Sequence, residues 1–145
     1  MQDVRLSPPV VVTHESGVRF VAKAGSHEIA TDQPVSKGGA GSAPTPLELM
    51  AAALGSCVAF YVQQFCAARD LPYDGLKVEA RFQQEGTPSR IGKFFVRLDL
   101  SSALPPEYVT MIRRVARTCP VHSTLTLGAG VTVDIVSKFP ALVEA

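Results

Sequence analysis

The chain has 145 residues, 46% of them apolar and 19% charged, with a net charge of +1. These totals suit one globular domain, 1–145, with a single core, and exclude a disordered chain. They also exclude a strongly basic nucleic-acid or membrane-binding surface.

The N-terminal MQDVRLSPPVVV carries no charged-then-apolar leader, so a cytoplasmic chain is expected. Three cysteines do not make a secreted disulfide framework. In a reducing compartment, transient catalytic or sensing bridges remain open to them.

VVVTH, VRFVAKA and HEIAT read as three strands separated by SG and GS turns. SKGGAGSAPTP, rich in glycine and proline, reads as a loop. TPLE then opens a helix, with Thr45 as N-cap, Pro46 at the first position and Glu48 closing a capping box. The helix is expected to run from 46 to about 69, before Leu71-Pro72. Its apolar residues are not confined to one stripe, which calls for cover on most sides. The stretch Leu47–Val62 falls short of the roughly 18 apolar residues of a membrane span, so a buried core helix is predicted.

GLKVEARFQQ and GKFFVRLDL alternate around GTPS and predict a hairpin with Leu76, Val78, Ala80 and Phe82 on one face. A second helix follows Pro105-Pro106, with Tyr108, Met111, Ile112 and Val115 at helical spacing. Arg113, Arg114 and Arg117 lie toward its C-terminus, where the dipole favours cations. CPVHSTL starts a short third helix, and GVTVDIV closes as an alternating strand. The order β-β-β-α-β-β-α-α-β implies an α+β fold with antiparallel pairing.

The cysteines carry the chemistry. Cys66 follows Cys57 by nine residues, about 900° around a helix and half a turn out of phase, so the two cannot face one site. Cys66 is a small core residue on this reading. Cys57, among Ala53, Gly55 and Ser56, is either a packing thiol or a functional one. Cys119 stands at an N-cap before Pro120, where free N–H groups and nearby Arg117 favour a thiolate. Local context therefore predicts the lower pKa at Cys119. His122, one turn on, is a candidate base, ligand or cap.

A zinc site would need about four ligands, and Cys57, Cys119 and His122 give three without close pairing. SKGGAGSAPT is not a phosphate-binding GxxxxGK[ST] loop. LGSCV lacks the pattern of papain-type proteases, and the chain contains no Asn to orient a catalytic histidine.

PTPLELMAAALGSCVAFYVQQF followed by RTCPVHSTL resembles the OsmC/Ohr family of thiol-dependent peroxidases. The likeness extends from VRFVAKAGSHEIATD through GGAGSAPTP to GVTVDIV. It implies an intertwined homodimer, with antiparallel sheets wrapped around long central helices. It implies that Cys57 attacks an organic hydroperoxide and that Cys119 condenses with the resulting sulfenic acid. A dithiol, lipoyl-like in parts of the family, would reset the pair, with no metal or other cofactor. Val58, Phe60, Tyr61 and His122 are the candidate substrate contacts. Arg19 and Glu48 are the candidates for the family's activating arginine–glutamate pair, although the glutamate of the best-characterised members falls at Leu47 here. Two other readings stay open: a redox-sensing or small-apolar-ligand-binding protein, and Cys/His acyl chemistry with His122 as base.

Overall fold

The computed structural model describes residues 4–136. The ends of the expected 1–145 domain, residues 1–3 and 137–145, lie outside the described residues.

Strands β1 (Val10–Ser16), β2 (Arg19–Ala24) and β3 (His27–Thr31) form an antiparallel sheet in that order. Thr13 faces Val21 across β1–β2, and Val21 faces Ala30 across β2–β3. A single 3-10 turn at Val35–Lys37 interrupts the predicted loop. Helix α1 (Pro46–Ala67) follows, then the hairpin of β4 (Lys77–Glu85) and β5 (Arg90–Asp99), then α2 (Pro106–Ala116) and α3 (Pro120–Leu127). The fold is α+β with antiparallel sheets.

The start of α1 is the predicted capping box. The Glu48 N–H donates to Thr45 Oγ1 at 3.3 Å, and Thr45 N–H donates to Glu48 Oε2 at 2.7 Å. Both groups are orphan donors that the helix itself leaves unpaired. The helix ends at Ala67, two residues before the expected Arg69.

One face of α1 is buried, through Ala51, Leu54, Val58, Val62, Phe65 and Cys66 at helical spacing. β4 packs on that helix, and α2 and α3 pack beside it. On length and composition alone α1 is long and apolar enough to cross a membrane. Its buried stripe makes it the core helix of this fold. All-round cover is not provided within one chain: Phe60 is 58% exposed.

In the hairpin, Val78 pairs with Leu98, Ala80 with Val96 and Phe82 with Phe94, as the alternation predicts. Phe94 and Leu98 lie on the core.

The expected closing strand is not formed. Residues 128–136 take no regular structure, and Val131 and Ile135 are 86% and 88% exposed. A strand needs a neighbour for its N–H and C=O groups. Among the described residues the β4–β5 sheet has two strands and no third. β1 is exposed along its whole length, and among the described residues the three-stranded sheet makes no more than marginal contact with any helix.

Candidate active site

Proline at the first position of α3 fixes Cys119 as its N-cap, with extended backbone (φ −67°, ψ 141°). The His122 N–H donates to Cys119 Sγ at 3.2 Å. The side chain is fully buried in the cluster with Leu54, Val58 and Ile112. Cys57 projects from α1 onto the same cluster and is half-buried.

The two thiols lie beside each other, close enough that side-chain contact with Cys57 and its like charge act on the ionisation of Cys119. Both are free thiols. Cys66 is also free and fully buried, and burial pushes its thiol up from the ordinary value.

The expectation of an acidified Cys119 is overturned. Burial pushes its thiol up first, and Cys57 adds to that shift. The N–H groups of His122 and Val121 act the other way and lose. An N-cap lowers a thiol pKa where the sulfur keeps some water, and this one keeps none.

The His122 backbone meets Cys119, but among the described residues its imidazole hydrogen-bonds to neither thiol. His122 instead lines a cavity of about 1210 Å³ between α1, β5, α2 and α3. Leu54, Val58, Phe94, Leu98, Ile112 and Leu125 form much of its apolar wall. Val58 and His122 line this cavity, whereas Phe60 and Tyr61 stand outside it, stacked edge-to-face with centroids 5.5 Å apart.

Arg19 and Glu48 are not brought together. Glu48 Oε2 accepts from Thr45 N–H and Thr45 Oγ1, and these bonds hold its carboxyl below the usual range. Arg19 Nε donates to Glu15 Oε2, and Arg19 Nη1 donates to Ser42 Oγ at 2.8 Å. It bonds to neither thiol.

Sequence reasoning missed what lies behind Ser42. Asp32 is 3% exposed. Its carboxylate accepts from Ser42 Oγ at 2.7 Å and from the N–H groups of Gln33, Ala40 and Ser42 at 2.8, 3.2 and 3.0 Å. Ser42, through its N–H and then its hydroxyl, leads in holding the Asp32 carboxyl down at about 2. Gly39 is required here, because a Cβ would stand 1.8 Å from Gln33 O. The signal was a single Asp before a Gly/Ser-rich turn, which invites side-chain-to-backbone bonds. The glycine-rich loop is thus a folded bracket that ends on Arg19.

Residues 39–136 match the family model described as OsmC-like protein. No curated protein sequence matches the chain. Many solved structures share the fold, three of them as follows. One is described as an osmotic stress induced and detoxification response protein from Psychrobacter arcticus 273-4, with 24% identity and a TM-score of 0.77 over 83% of this chain and 90% of that one. Another is an OsmC like protein from Mycoplasma pneumoniae, with 16% identity and a TM-score of 0.72 over 85% and 89%. The third is described as an organic hydroperoxide resistance protein OsmC from Legionella pneumophila, with 14% identity and a TM-score of 0.63 over 83% and 91%.

Proposed function

This chain belongs to the OsmC-like protein family, and on that premise we propose that it reduces organic hydroperoxides with Cys57 as the attacking thiol and Cys119 as the resolving one. The observation that carries this reading is the meeting of the two sulfurs at the α1–α3 contact. The roles follow from access. Cys57 is half-exposed and Cys119 is sealed, so a peroxide reaches Cys57 first.

Cys57 loses its proton and the thiolate attacks the terminal oxygen of ROOH. An S–O bond forms, the O–O bond breaks, and the departing alkoxide takes up a proton to leave as ROH. The Cys119 thiol then attacks the sulfenic sulfur, an S–S bond forms and water departs. An external dithiol, lipoyl-type by family analogy, returns the disulfide to two thiols and is itself oxidised. A cytoplasmic, reducing setting suits this cycle. The apolar organic group of the peroxide has a place in the adjoining cavity, beside Val58 and His122.

Arg19 is the proposed activating cation, and its anchors are Glu15 and Ser42. Glu48 has a full structural role in the cap and is the weaker candidate for the pair. Among the described residues the first sheet has no more than marginal contact with a helix, and α1 keeps an open face with Phe60. Both features support a homodimer in which the sheet of one copy brings Arg19 toward the thiol of the other. Phe60 and Tyr61 then belong to that contact region, where they adjoin the substrate path.

The test is consumption of cumene hydroperoxide by reduced protein with a dithiol present. Turnover that stops in Cys57→Ser and persists in Cys66→Ser supports the reading. Disulfide formation only over hours, without turnover, would favour the redox-sensing or ligand-binding alternative.

A further inference from the structure

Arg19 is held at two of its three guanidinium nitrogens, by groups from two different segments. Nε donates to Glu15 on β1, and Nη1 donates to Ser42 Oγ in the glycine-rich loop at 2.8 Å. Nη2 hydrogen-bonds to no described residue. A guanidinium is planar, so two tethered nitrogens fix the direction of the third. The Arg19 side chain is 31% exposed and that of Glu15 is 50% exposed. An ion pair this open to water is worth little and holds a long side chain loosely. The bond to Ser42 therefore decides where the free edge of Arg19 points.

Ser42 acts as an acceptor for a definite reason. A hydroxyl carries one proton, and Ser42 donates it to Asp32 Oδ2 at 2.7 Å. With the proton committed there, the oxygen lone pairs are left for Arg19 Nη1. Asp32 is a carboxylate buried to 3% exposure, a placement that is costly unless its bonds are made. Three of those bonds come from the N–H groups of Gln33, Ala40 and Ser42 and tie the loop to itself. The fourth, from the hydroxyl, reaches beyond the loop and couples the buried charge to Arg19.

We propose that Asp32 and Ser42 are positioning residues: the Asp32 carboxylate makes the Ser42 hydroxyl an acceptor, and that hydroxyl aims the Arg19 guanidinium at the thiol it activates. The inference rests on the role of Arg19 in the function proposed above. Neither residue touches the reacting atoms, and both act through Arg19.

The experiment is the rate at which iodoacetamide labels Cys57 in reduced full-length protein at neutral pH, located by peptide mass. This reagent reads the thiolate and needs no peroxide turnover. Arg19→Ala should slow the labelling. Ser42→Ala keeps all three N–H bonds to Asp32 and removes only the hydroxyl, so it should fold, which circular dichroism checks. It should slow labelling about fivefold, the scale of one ordinary hydrogen bond. Ser42→Thr keeps the hydroxyl and should restore the rate. Asp32→Asn offers Ser42 an amide N–H, which turns the hydroxyl proton toward the guanidinium, and should slow labelling at least as much as Ser42→Ala. In the Arg19→Ala background, Ser42→Ala should cost nothing more. A Ser42→Ala variant as fast as wild type, beside a slow Arg19→Ala, would overturn the positioning role and leave the reductase standing. A cost of Ser42→Ala that persists without Arg19 would overturn it as well. An Arg19→Ala variant as fast as wild type would bring down the activating role of Arg19 and the positioning role together. The expected pattern of rates without any consumption of cumene hydroperoxide would uphold the positioning and count against the reductase alone.

Discussion

Cys57 on α1 lies against Cys119 at the head of α3, one thiol half-buried and the other sealed. Replacing Cys119 with serine leaves a good N-cap acceptor for the His122 N–H and removes only the second thiol. The expected variant reacts once with hydroperoxide and stops as a Cys57 sulfenic acid, which dimedone captures and mass spectrometry locates. Cys57→Ser should give no adduct.

Arg19 bonds to Glu15 and Ser42, and Glu48 is engaged by Thr45. Glu15→Gln should slow Cys57 oxidation by about tenfold, the scale of a displaced opposite charge. Glu48→Gln should leave the rate near wild type, since glutamine also closes a capping box. Stopped-flow oxidation of the two variants separates the roles. Thr45→Ala should cost about 1 kcal/mol of stability through the lost cap, read by urea unfolding.

Phe60 is exposed on the core helix, and the alternating Val131, Val133 and Ile135 lie open, with no strand partner among the described residues. Apolar surface of this kind is stabilising only when covered. Wild-type protein should sediment as a dimer. Phe60→Glu should shift it to monomer and lower peroxidase turnover, because each copy then loses the sheet that carries its partner's Arg19. A monomeric wild type with full turnover would contradict the dimer proposal.

Asp32 gives the acid limb of stability. Its carboxyl is depressed to about 2 from 3.8. The folded state therefore gives up this proton more readily than the unfolded chain. The resulting stability is fully present above about pH 4 and is lost as pH falls toward about 2. Asp32→Asn lacks it. The gap between wild-type and variant unfolding midpoints should be wide at neutral pH and close across that interval. A gap that is the same at neutral pH and at the acid end would show that the bracket needs no charge.

Much of the fold was legible because its signals are local. Thr45, Pro46 and Glu48 announce α1, Pro120 after Cys119 announces α3, and the alternation of Val78, Ala80 and Phe82 against Phe94, Val96 and Leu98 gives the hairpin register. The final strand was misread because alternation reports what a segment can pair with, and among the described residues nothing pairs with it. The ionisation of Cys119 was misread for a related reason. The N-cap is visible in sequence, but the burial that outweighs it is a tertiary quantity. The meeting of Cys57 and Cys119 could not be read from spacing and came from family resemblance. The Asp32–Ser42–Arg19 chain had no comparable pattern to announce it.

Peptide mapping under non-reducing conditions tests the central claim most directly. Reduced protein is treated with one equivalent of cumene hydroperoxide, quenched within seconds and digested. The expected product is a single cross-linked pair joining the Cys57 and Cys119 peptides, two hydrogens lighter than the separate thiols, with Cys66 still free. Recovery of Cys57 and Cys119 as unmodified thiols, or a bridge that uses Cys66 instead, would contradict it.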